Sequence, residues 1–234
     1  MNPEEQSTKA NTLLENLYGP WLIPWRELRG ANPKLSFPMF LKTRPAYFAA
    51  KPRIVFVGQE THGWWTDYAA DLSTLGAKEI MGWYQSEDMN NYRLHSSSPF
   101  WRAIREISDS VGLPHFPDSV MTANLFPCDL DKKQAPEAML ETMRGWKILP
   151  EELELLSPDY VIFFCGPVYS YNLGRYFHLE VPPSSFSLQS PWQRYQPPGV
   201  KWKGFATYHP NRLQLKKIWY ALDEIVKAMK SDSA

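Results

Sequence analysis

Two short runs constrain this chain more than anything else in it: Ile54-Val55-Phe56-Val57-Gly58 and Tyr160-Val161-Ile162-Phe163-Phe164-Cys165-Gly166. Each is continuously apolar, rich in β-branched and aromatic residues, and closed by glycine. That is the pattern of a strand covered on both faces, which requires helices above and below the sheet. Val120-Met121-Thr122-Ala123-Asn124-Leu125-Phe126, stopped by Pro127, reads as another strand, and Gly204-Phe205-Ala206-Thr207-Tyr208 as a shorter one running into His209-Pro210.

Helical patterns separate these runs. Ser98 caps a segment with Pro99 in its first turn and apolar residues at Trp101, Ile104, Ile107 and Val111, ended by Gly112. An acidic helix carrying Met139, Leu140, Met143 and Trp146 follows, then one from Glu151 to Ser157-Pro158. A last helix is expected from Arg212 to Lys230, burying Leu215, Ile218, Leu222, Ile225 and Val226. Before the first strand, residues 12–47 suggest one helix and then an irregular, Pro- and aromatic-rich wrap. Strands alternating with helices predict an α/β single-domain three-layer sandwich: a mostly parallel central sheet of about four strands, helices on both faces. At 234 residues one domain over 12–230 is expected. The polar ends, 1–11 and 231–234, have little to bury and are expected to be disordered tails.

Charge and cysteine usage narrow the function. The 25 basic and 25 acidic residues cancel, so any polyanion binding must be local. Cys128 and Cys165 are too few for a zinc cage or an iron-sulfur cluster, so neither metal nor cofactor is expected. The polar N-terminus is unlike a secretory signal, and no run reaches the ~18 apolar residues of a membrane span, so a cytoplasmic protein without a membrane partner is expected.

In parallel sheets ligands meet the carboxyl ends of the strands, where Gln59-Glu60, Asn124, Gly166 and His209 all fall. Glu60 lies in a glycine-flanked loop where burial would raise its pKa; it reads as a base or water orienter, or as the cap of a following helix. His209, held extended by Pro210, can donate to a developing anion or simply face solvent. Asn124 offers a donor and an acceptor to a base edge, or closes a turn.

Taken in order, Gly58-Gln59-Glu60-Thr61, Ser98-Pro99-Phe100-Trp101, Val120-Met121-Thr122-Ala123-Asn124, Leu156-Ser157-Pro158-Asp159-Tyr160-Val161-Ile162 and Tyr208-His209-Pro210-Asn211-Arg212-Leu213 resemble the uracil-DNA glycosylase superfamily over roughly residues 50–230. The resemblance implies a monomeric DNA glycosylase of the base-excision repair type, without metal or cofactor, acting on single- or double-stranded DNA. Glu60 would orient water, His209 would stabilise the departing base, and Asn124 would read the flipped base. Gln59 and Trp64 would line the base pocket, with Trp65 and Tyr84 as the alternative candidates for the aromatic that stacks on the base. Asn211, Arg212, Leu213 and Lys216 would contact DNA, Leu213 either as a duplex wedge or as a helix core residue.

The stretch 181–220 carries Arg194, Lys201, Lys203, Arg212, Lys216 and Lys217 and no acid, with Trp192, Tyr195 and Trp202 interleaved, as a DNA-tracking groove with stacking platforms would. Two motifs depart from the family: Thr61-His62-Gly63 replaces Pro-Tyr-His, and Asn211 replaces the serine of His-Pro-Ser. They motivate a second reading, a catalytically silent nucleic-acid-binding module on the same fold. An N-glycosidase acting on free nucleosides is a third.

Overall fold

The apolar run at 54–58 forms a strand, β1 (Ile54–Gly58), with all of its residues buried. The computed structural model, which describes residues 1–61, 75–177 and 186–232, places it beside β2 (Val120–Asn124) and β3 (Tyr160–Phe163). A short edge strand, β4 (Trp192–Arg194), and β5 (Lys203–Thr207) complete a five-stranded sheet of order β2-β1-β3-β5-β4. The first four pair in parallel, and β4 alone runs antiparallel, against β5. The sheet is therefore one strand larger than the periodicity predicts. Three residues in a proline-rich stretch, none fully buried, leave too short a pattern to read.

Three helices fall where the sequence places them (Pro99–Ser110, Glu137–Gly145 and Ile148–Leu156), five stand where it placed none (Leu22–Ala31, Pro45–Ala49, Ala77–Tyr84, Glu87–His95 and Gly166–Tyr176), and three regions differ from their expectation. In chain order the helices are α1 (Pro3–Tyr18), α2 (Leu22–Ala31), α3 (Pro45–Ala49), α4 (Ala77–Tyr84), α5 (Glu87–His95), α6 (Pro99–Ser110), α7 (Glu137–Gly145), α8 (Ile148–Leu156), α9 (Gly166–Tyr176), α10 (Pro210–Leu215) and α11 (Ala221–Ser231). Helices α1, α3 and α8 pack together, as do α6, α10 and α11, and helices flank the sheet as in a three-layer sandwich. On α6 the sequence reading holds in detail: the Ser98 hydroxyl accepts from Trp101 N and Pro99 starts the helix. No described helix is long and apolar enough to cross a membrane.

The first difference is the N-terminus. Residues 1–11, expected as a disordered tail, enter α1 at Pro3. Asn2 and Glu5 form a reciprocal capping box. Ser7 Oγ bonds the Thr43 carbonyl at 3.1 Å, and Asn11 Oδ1 accepts from Thr43 N at 2.7 Å. These polar residues are thus satisfied by the wrap rather than by water, while Ala10, Leu14 and Tyr18 are buried. The second difference lies at the other end: Ser231 closes α11, and Asp232 pairs with Arg194 at 2.8 Å, while residues 233–234 lie outside the described residues.

The third is a break in the last helix. Lys217 turns left-handed at φ 56°, with Lys217 N donating to Gln214 O and Ile218 N to Leu213 O, which ends α10. The apolar stripe survives at Ile218, Leu222, Ile225 and Val226, but Leu215, expected in the core, is 76% exposed.

Candidate functional site

Sheet order places the reversal of winding between the parallel neighbours β1 and β3, where a doubly wound sheet opens a crevice at its carboxyl end. A cleft of about 910 Å³ lies there, lined among others by Gln59, Glu60, Phe100, Asn124, Tyr169 and His209. Gly58 and Asn124 are register partners on β1 and β2. A Cβ on Gly58 would fall 2.5 Å from Asn124 Oδ1 and 3.4 Å from the Phe100 ring. Glycine is what lets the carboxamide and the ring meet over the strand end.

Gln59 lines the cleft and also bridges the crevice: its amide nitrogen donates to the Cys165 carbonyl at 2.7 Å. Glu60 is half-buried, and burial raises its pKa above the usual carboxylate range. The hydrogen bond from the Tyr169 hydroxyl, and the backbone of Ala135 beside the carboxyl, pull it back down, while the neighbouring Asp129 carboxylate adds to the rise. Asp129, fully buried, accepts from Thr61 Oγ1 at 2.6 Å and from Lys132 N at 2.7 Å.

His209 caps α10, its Nδ1 accepting from Asn211 N at 3.3 Å. That bond places the proton of a neutral imidazole on Nε2. The ring stacks on Phe100, centroids 5.8 Å apart and planes within 13°. Asn211 also lines the cleft, and Arg212 and Lys216 are exposed on α10 and at its end.

The structure corrects several sequence expectations. Leu213 is fully buried, so the core alternative holds and it cannot wedge into a duplex. Tyr84 is buried with its hydroxyl bonded to the main chain of Thr122 on edge strand β2, and is no stacking surface. Trp64 and Trp65, together with His62 and Gly63, lie outside the described residues. The basic stretch does not form one groove. Lys201 and Lys203 sit at the amino end of β5, opposite to His209, along a larger groove of about 1300 Å³. Two of its cations are matched: Arg53 with Asp159 at 3.4 Å and Lys203 with the Asp232 carboxylate at 3.8 Å. Tyr195 and Trp202 are buried against Phe163 and Phe177, and so are core.

Three residues of the cleft escaped the sequence reading of roles. Phe100 stood in a quoted motif, and its place on the first turn of α6 was its signal. Tyr169 follows Gly166 by three positions, one helical turn past a strand end. Asp129 lies beyond the proline that ends the β2 run, in a loop without periodicity. Among the described residues no group of three or more His, Cys, Asp and Glu is arranged to hold a metal ion. Compared with known proteins, the chain matches no family model and no curated protein.

Proposed function

We propose that the chain is a DNA glycosylase-like hydrolase that takes a flipped, deaminated base such as uracil into the cleft and cuts its N-glycosidic bond. The observation that carries this reading is the convergence of Glu60, Phe100, Asn124 and His209 on one cleft. The four supply what such a reaction needs: a carboxylate for water, an aromatic wall, a carboxamide for a base edge, and a donor for the leaving base. As the water oxygen bonds to the sugar carbon, the glycosidic electron pair leaves with the base and a water proton passes to Glu60. His209 Nε2–H donates to the base oxygen on which the negative charge gathers. The raised pKa of Glu60 places the acid limb of the rate profile above the ordinary carboxylate range. Leu215, exposed at the end of α10, takes the duplex-facing role that buried Leu213 cannot.

One observation favours the silent binding module. Thr61, where the family has proline, is held in an inward network with Ser36 and Asp129, at 2.8 and 2.6 Å. The experiment separating the two is base release from oligonucleotides carrying uracil, hypoxanthine or xanthine, single- and double-stranded. Release by the wild type that is lost in Glu60→Gln and His209→Ala, with binding retained, supports the hydrolase. Binding by all three proteins without release from any substrate leaves the module.

A further inference from the structure

Three successive residues after β1 are clamped to three different parts of the fold. Gln59 bonds the Cys165 carbonyl at the end of β3; Glu60 accepts through Oε1 from the Tyr169 hydroxyl on α9; Thr61 bonds Asp129 and Ser36. The start of α9 is what permits the middle clamp. Gly166 opens that helix at φ 71°, in the left-handed region that favours glycine. A Cβ there would lie 3.9 Å from Gln59 Nε2 and 4.0 Å from His209 N, so the helix begins directly against both cleft loops. One turn on, Tyr169 reaches Glu60. Its ring is buried and lies 6.3 Å from that of Phe126, so the hydroxyl is delivered from a fixed base. Glu60 Oε2, by contrast, is buried and has no hydrogen-bond partner among the described residues. Such an oxygen costs free energy until a donor meets it.

From this geometry we propose that Tyr169 is a positioning residue: by occupying Oε1 it fixes the Glu60 carboxyl and leaves Oε2 as the single oxygen that meets the attacking water. The role in water attack rests on the hydrolase reading above; the clamp itself does not. The water proton passes to Oε2, while Oε1 stays bonded to the phenol throughout. Tyr169 thereby acts through Glu60 and takes no proton itself. Its bond favours the charged carboxylate against the opposing effects of burial and Asp129.

The test begins with the full-length chain carrying 13C-labelled glutamate carboxyls, the Glu60 resonance being assigned by its loss in Glu60→Gln. In Tyr169→Phe the Glu60 titration midpoint moves to higher pH, because a bond to the charged form has gone. In the base-release assay the same variant loses about tenfold or more in kcat, KM stays within about twofold, and the acid limb moves up with the titration. An unmoved Glu60 midpoint in folded Tyr169→Phe overturns the clamp. Should that variant fail to fold, the Tyr169 phenol is read in Glu60→Gln. There it ionises at lower pH than in the wild type if the two are paired, and an unchanged phenol overturns the pairing. A wild type that releases no base while the midpoint moves removes the hydrolase reading and leaves the clamp standing. Base release with neither kcat nor midpoint changed in Tyr169→Phe does the reverse.

Discussion

Gly58 and Asn124 occupy the same level of neighbouring strands, and the space above residue 58 belongs to the carboxamide and the Phe100 ring. Gly58→Ala must push Asn124 aside, and overpacking of this kind costs about 1–3 kcal/mol. Urea denaturation should show that loss, together with weaker binding of a uracil-containing oligonucleotide. Glu152 makes a separate prediction far from the cleft. It is buried beside Tyr18, whose hydroxyl donates to it at 2.6 Å, and burial pushes its pKa from 4.5 up to about 8. The folded value exceeds the unfolded one, so its contribution is fully present below about pH 4.5 and is lost as pH rises through about 8. Over that window stability falls by at most ~1.4 kcal/mol per pH unit from this group, and Glu152→Gln should flatten the fall in urea midpoints. At this scale the sequence was half legible. Residues at strand ends announce themselves by position, which is how Glu60, Asn124 and His209 could be named. Tyr169 and Glu152 could not, because each acts through a partner distant in sequence, Glu60 and Tyr18.

Elements were easier to read than their ends. Four strands follow from unbroken β-branched and aromatic runs, and α6 from a cap, a proline and an apolar spacing that agree with one another. What failed was the assumption that polar means loose and that a continuous stripe means a continuous helix. Helix α1 is polar because one side of it faces water, while Ser7 and Asn11 bond to Thr43 and Glu5 to the cap. Removing that cap in Asn2→Ala should cost about 1 kcal/mol, read as a lower thermal midpoint. The break between α10 and α11 keeps the apolar stripe aligned across Lys217, so periodicity cannot reveal it. Lys217 holds a left-handed backbone that costs a non-glycine residue about 1 kcal/mol. Lys217→Gly should therefore raise the urea midpoint by a comparable free energy, whereas a continuous helix would be destabilised by the same change.

Across the whole molecule the question is where charge sits on a chain with none in balance. A stretch of sequence without acids looks like one basic surface, but β5 runs through it and carries Lys203 to one end of the sheet and His209 to the other. Arg194 and Lys203 are then neutralised by Asp232, from a part of the chain the local sequence does not contain. Exposed cations remain beside the cleft: Arg212, Lys216 and Lys217 on one side, and Lys132 and Lys133, which line it, on the other. If a nucleic-acid strand crosses the cleft, its phosphates meet these and not Lys201. Binding should then weaken with salt in proportion to the phosphates neutralised, each contributing about 0.7 to the log–log slope for a single strand. Arg212→Ala and Lys216→Ala should each lower that slope by roughly this amount and weaken binding regardless of base, since phosphate contacts carry no sequence information. Lys201→Ala, at the far end of the sheet, should leave both slope and affinity unchanged. The reverse pattern, with Lys201 mattering and Arg212 not, would move the nucleic-acid face to the groove at the amino ends of the strands and separate it from Glu60 and His209 altogether.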